Sequence, residues 1–108
     1  MKKIFITGPM TGMKDYNIPI FDRWEFGLKK LDYEVINPAN IARRYKVSEV
    51  ISKKEVFDRM VEEELEVLRG CDYIFLINGW HKSKGSRREL RVALEANIEI
   101  KLQEEIQK

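Results

Sequence analysis

One cysteine, Cys71, and one histidine, His81, occur in 108 residues. A single cysteine excludes an internal disulfide, and the two together are too few for a cysteine- or histidine-based metal site. An excess of charge of one sign is also lacking. Lys and Arg number 20 against 18 Asp and Glu, a net charge of +2. A nucleic-acid polymer is therefore not the expected partner, since binders of that kind carry a clustered basic excess. No apolar run approaches the ~20 residues that span a bilayer, so no membrane partner is expected either. Met1-Lys2-Lys3 is followed by only three apolar residues before Thr7-Gly8-Pro9. That is too short for a signal-peptide core and makes the cytoplasm the expected location. Repeats, low-complexity tracts and linkers are missing as well. What remains is a globular composition, 44% apolar and 35% charged, in one domain over residues 1–108 that can build a core without staples.

Short apolar runs alternate with longer amphipathic ones, the pattern of βα units. Ile4-Phe5-Ile6 reads as a first strand, running into a loop that holds Gly8 and Gly12. A helix from about Pro19 to Leu31 would turn Phe21, Trp24, Leu28 and Leu31 to one side, leaving Phe26 off that face as a possible subunit contact. Tyr33 to Ile36 reads as a second strand, closed by Asn37-Pro38. Residues 40 to 50 carry weak helical signals. Ser52 precedes Glu55 by three, a capping-box spacing, and predicts a helix to about Arg69 with a stripe of Phe57, Met60, Val61, Leu65 and Leu68. Tyr73 to Ile77 is apolar on both faces and reads as a central strand. A helix from near Ser86 would carry Leu90, Ala93 and Leu94 inward. Ile98, Ile100 and Leu102 alternate with charged residues, as in an edge strand. The succession predicts an α/β fold: one flavodoxin-like or Rossmann-like open parallel sheet, order 2-1-3-4, with helices on both faces. Ligands of such sheets bind outside the carboxyl ends of the strands at the switch point, here between the first and third strands. The loops Gly8–Gly12 and 78–86 meet there.

The first loop is neither a Walker loop nor a dinucleotide fingerprint, because Gly-Lys-Ser/Thr and the G-x-G-x-x-G spacing are both absent. Its glycines mark either a tight turn or close approach of backbone to a ligand. The second loop, Ser83-Lys84-Gly85-Ser86-Arg87-Arg88-Glu89, leads small and hydroxyl residues into a helix N-terminus, which suits one phosphate better than a polymer. Ser86 and Glu89 have the spacing of a capping box, so Glu89 is either a cap or a functional acid. Glu64 falls inside an apolar stripe. It either snorkels out at the stripe edge or is a partly buried acid aimed at the cleft. Two carboxylates converging on a cleft are what glycosidic-bond chemistry uses. His81 is an isolated loop histidine, Trp80 beside it either stacks on a base or covers the core edge, and Cys71 reads as a structural thiol. No metal or other cofactor is expected.

Most of the chain resembles the nucleoside 2-deoxyribosyltransferase-like superfamily, above all its small phage and bacterial members. The matching stretches are Ile4 to Gly12, Asn37-Pro38-Ala39, and Leu65 to Ala96. The last of these includes Cys71-Asp72-Tyr73 and Gly79-Trp80-x-x-Ser83-x-Gly85-x-x-x-Glu89-x-x-x-Ala93. The resemblance implies cleavage or transfer of the N-glycosidic bond of a 2′-deoxynucleoside. Glu89 would be the nucleophile that forms a glycosyl-enzyme ester, and Glu64 the acid that orients it. It places substrate contacts at Phe5, Gly8, Pro9, Met10, Thr11, Gly12, Ser83, Gly85 and Ser86. Ser83 stands where transferases of free nucleosides carry an aspartate. That resembles the branch acting on 5′-monophosphates, since a serine can donate to a phosphate that a carboxylate would repel. The orienting acid is one methylene longer than the usual aspartate, and Ser86 replaces a commoner small apolar residue. The resemblance also implies a homo-oligomer, a dimer being favoured.

The expected function is hydrolysis of a 2′-deoxynucleoside 5′-monophosphate, a small-molecule substrate, through Glu89. The alternatives are a deoxyribosyltransferase and a catalytically silent nucleotide-binding sensor or sponge.

Overall fold

The computed structural model of the protein describes residues 1–44 and 54–106. Strands β1 (Lys3–Thr7), β2 (Glu34–Ile36), β3 (Tyr73–Leu76) and β4 (Glu99–Leu102) form one parallel sheet in the order β2-β1-β3-β4. This is the 2-1-3-4 order expected from the βα alternation, with β4 at an edge and β1 and β3 central. The register sets Phe5 opposite Ile36 and Ile74, and Thr7 opposite Leu76.

Side chains alternate across a strand, so each face of the sheet collects its own core. Helices α1 (Ile18–Lys30) and α2 (Pro38–Arg44) cover one face. There Phe21, Leu28 and Ala39 pack on Ile4, Ile6, Phe75 and Ile77. Helices α3 (Lys54–Arg69) and α4 (Lys84–Glu95) cover the other. There Leu65, Leu68 and Ala93 pack on Phe5, Ile74 and Leu76. A short α5 (Gln103–Ile106) follows β4. The start of α2 is fixed by Asn37, whose Oδ1 accepts the Ala39 N–H at 2.9 Å, and by Pro38, whose missing N–H costs nothing in the first turn.

Three details differ from the sequence expectation. Helix α1 stops at Lys30, and Leu31 bonds back to the Leu28 and Lys29 carbonyls. That breaks the helical phase, so Leu31 is 54% exposed and not part of the inward stripe. Leu94 is 57% exposed. It lies one residue past the buried line Ser86, Glu89, Ala93, and a step of 100° near the helix end turns it outward. The N-cap of α4 is Ser83, not Ser86: the Ser83 Oγ accepts the Ser86 N–H at 3.1 Å. Ser52 and residues 45–50 lie outside the described residues. Phe26 does stand off the apolar face, 64% exposed, with the Lys30 ammonium over its ring. Among the described residues no helix is long and apolar enough to cross a membrane.

Candidate functional site

Thr7 ends β1 on the face that α3 and α4 cover. It is 1% exposed, a hydroxyl at the tip of an otherwise apolar strand. On α4, Ser86, Glu89 and Ala93 recur at three- and four-residue spacing and all turn inward. On α3, Met60, Glu64 and Leu68 do the same at four-residue spacing. Glu64 and Glu89 are each 8% exposed, and their carboxyl groups lie close enough for each to shift the other's ionisation. Glu64 therefore does not snorkel. The paired-acid expectation for residues 25 apart in the chain is met because α3 and α4 lie side by side on one face.

Thr7 Oγ1 donates to Glu89 Oε1 at 2.5 Å and lies 2.9 Å from Ser86 Oγ. A hydroxyl carries one proton, so the chain of donors runs from Ser86 to Thr7 to Glu89. No buried side-chain nitrogen or oxygen among the described residues is left without a partner. Burial raises the Glu64 carboxyl well above the usual carboxylate range, and the negative charge of Glu89 and its hydrogen bond raise it further. Burial also raises Glu89, to about 7, with Thr7, Glu64 and the nearby Arg88 offsetting only part of that rise. Two acids in contact cannot both ionise freely. Glu64 therefore holds its proton more firmly, and Glu89, with Thr7 donating to it, is the first of the two to ionise.

These contacts exclude the capping-box alternative for Ser86 and Glu89, since Ser86 is not the cap and Glu89 is engaged by Thr7 and Glu64. They also change the expected anion site. The Ser86 N–H is taken by Ser83 and the Ser86 hydroxyl is buried against Thr7. The groups left at the start of α4 are the Ser83 hydroxyl proton and the Lys84 and Gly85 N–H groups. A Cβ on Gly85 would make only ordinary contact, 3.8 Å from Ser83 Oγ.

The first loop divides between the two faces. Gly8 is buried, and a Cβ there would come within 2.9 Å of Ile77 Cβ. The bare backbone lets the ends of β1 and β3 close together. Gly12 has φ +83° in open space, as a turn requires. Pro9 and Met10 lie on the α1 face, away from the carboxylates. Thr11 is exposed, 3.5 Å from the Tyr16 hydroxyl. Phe5 is fully buried in the core under α3 and α4 and offers no surface to a ligand. Trp80 packs on that core, as its covering role anticipated, and His81 is exposed beside it. Burial pushes the Cys71 thiol up to about 11, which makes it a poor nucleophile.

Sequence reasoning missed Thr7 as a member of the site. A lone polar β-branched residue closing an apolar strand was the available signal. No group of three or more His, Cys, Asp or Glu among the described residues could hold a metal ion. With one carboxyl that ionises first and accepts from Thr7, and a second beside it that keeps its proton to higher pH, the arrangement suits nucleophilic attack with a proton in reserve.

A family model described as a domain of unknown function, DUF4406, matches residues 2–102, and the chain belongs to that family. No curated protein matches it.

Proposed function

We propose that this member of the DUF4406 family is an N-glycosidase acting on 2′-deoxynucleoside 5′-monophosphates, with Glu89 as nucleophile. The observation that carries the reading is the buried, mutually interacting pair Glu64–Glu89 with Thr7 donating to Glu89. The resemblance of the two loops to the nucleoside 2-deoxyribosyltransferase-like superfamily supports the same assignment.

In the proposed reaction a Glu89 oxygen attacks the anomeric carbon while the bond to the base nitrogen breaks. The bonding pair leaves with the base, which takes up a proton. Glu64 holds the proton available at the site and keeps Glu89 aligned. The resulting glycosyl ester is then cleaved by water, which returns the carboxylate to Glu89 and leaves the anomeric configuration retained overall. The Ser83 hydroxyl and the Lys84 and Gly85 N–H groups take the 5′-phosphate at the positive end of α4. The proposal puts the protein in the cytoplasm, with a small molecule as its partner. Phe26 on the outer side of α1 is the candidate contact for a homo-oligomer.

A second reading is favoured by the 8% exposure of each acid: a nucleotide-binding module whose carboxylate pair never meets a sugar. The test is a screen of 2′-deoxynucleoside 5′-monophosphates for released base, with and without an added acceptor base. Release that requires no acceptor supports hydrolysis, and release only with acceptor indicates transfer. Tight binding without release selects the module.

A further inference from the structure

The carboxylate pair occupies one face of the sheet, and a separate cleft opens on the other. It lies outside the carboxyl ends of β1, β3 and β4, under α1, and has a volume of about 380 Å³. That is within the range of small-molecule sites and at its small end. Ile20, Trp24 and Ile77 supply its apolar walls, and Arg23 and Asn78 its polar ones. Neither Glu64 nor Glu89 lines it, and no acidic residue among those described does. We propose that this cleft is a second ligand site, for a small planar aromatic molecule bearing one carboxylate or phosphate.

The ring is recognised by Trp24. Its indole packs on Phe75 with centroids 4.8 Å apart, which fixes its orientation before any ligand arrives. Such a preset aromatic wall favours a flat partner. The anion is recognised by Arg23. Its guanidinium is exposed and has no ion pair or hydrogen bond among the described residues, so it offers its planar donor fork to an oxyanion. The volume admits one or two fused rings with one such group, and not a polymer.

The cleft also has a strained wall. Asp15, Tyr16 and Asn17 have φ of 52°, 56° and 59°, three successive non-glycine residues in the left-handed region. Each is unfavourable for an L-residue. Such outliers persist only where surrounding contacts hold them, and they cluster at ligand clamps. Here Asn17 lines the cleft, and its Nδ2 donates to the Pro9 carbonyl at 2.8 Å. This fastens the turn to the loop after β1.

The test is a titration of the full chain with orotate, phenyl phosphate and uncharged uracil, followed by NMR. We expect saturable shifts at the Trp24 indole N–H and at Asn78 with either charged molecule, and no shift at Trp80. Arg23→Gln, a change at an exposed side chain without partners, should weaken the charged molecules about tenfold or more and leave uracil unaffected. Glu89→Gln should leave all three unchanged, so this outcome is independent of the glycosidase reading. The stronger of the two charged molecules identifies the oxyanion. The proposal is overturned if the Trp24 signal does not saturate with either by about 10 mM, roughly ten times a Kd of about 1 mM. It is equally overturned if Arg23→Gln leaves their affinity intact, or if the shifts centre on Thr7 and Ser86.

Discussion

Under α1 and α2 the sheet buries Ile4, Ile6, Phe75 and Ile77, and the polar groups buried on that side are Asn17 and Asn37 at its margins. Each of these asparagines is spent locally, Asn17 on the Pro9 carbonyl and Asn37 on Asp22, Glu25 and the first turn of α2. Under α3 and α4 the same two central strands bury Phe5, Ile74 and Leu76, but Thr7, Ser86, Glu64 and Glu89 sit among them. One face spends its burial on packing. The other accepts two carboxyl groups, a costly choice unless the groups are paired and hydrogen-bonded. A fold that needed only stability would not place acids there, and this contrast points to chemistry on the α3/α4 face.

The largest effect expected is on that face. Glu89→Gln keeps the shape and an acceptor for Thr7 but removes the attacking charge. Base release from a 2′-deoxynucleoside 5′-monophosphate should fall roughly a thousandfold or more, with the urea midpoint almost unmoved near pH ~4, where the carboxyl is protonated in both states. Turnover surviving in this variant would remove the nucleophile and with it the functional half of the contrast. The packing half is tested by Phe21→Ala. Phe21 is fully buried on the α1 face, so its removal should cost about 3–5 kcal/mol in urea unfolding.

Glu64→Gln should move stability the other way. A carboxyl raised on folding adds no penalty below the unfolded value of ~4.3, where both states are protonated. As pH rises the unfolded chain ionises freely while the folded one must hold the proton, so this contribution to stability is lost towards and through the raised folded value. The variant escapes that loss. The two proteins should be equally stable near pH 4, and the variant ahead at pH 8 by a margin that grows as pH rises between the two. Chemical denaturation at several pH values checks this. A wild-type advantage at pH 8 would mean that the pair stabilises the fold, contrary to the desolvation argument.

The contrast between faces also explains what the sequence discloses. The sheet order is legible because each strand is a short apolar run and each helix carries a stripe, and connection rules leave few topologies. Glu64 is legible because an acid inside a stripe is an anomaly at the level of the pattern, and Glu89 through its spacing from Ser86 and the motif around it. Leu31 and Leu94 are misread because periodicity does not report where a helix stops or how wide its buried line is. The α4 cap is misread because two serines stand three residues apart and either could begin the helix. The cleft on the α1 face is not legible at all. Its residues run from Pro9 to Gln103, none is unusual alone, and only the folded chain brings them together.

The smallest effect concerns Ser83, where the structural and ligand roles of one hydroxyl overlap. As the cap of α4 its oxygen accepts the Ser86 N–H, and Ser83→Ala should cost about 1 kcal/mol of stability for that reason alone. As a phosphate contact its proton points the other way, so the same variant should also weaken a 5′-monophosphate by about 1 kcal/mol relative to its nucleoside, the scale of one hydrogen bond. Alanine alone does not separate the two roles. Ser83→Asp does, because aspartate is as good a cap as serine but sets a carboxylate against the phosphate. Its stability should match the wild type, while the preference for monophosphate over nucleoside should disappear or reverse in calorimetry. If Ser83→Asp keeps that preference, the phosphate does not sit at the start of α4, and Ser83 is a cap and nothing more.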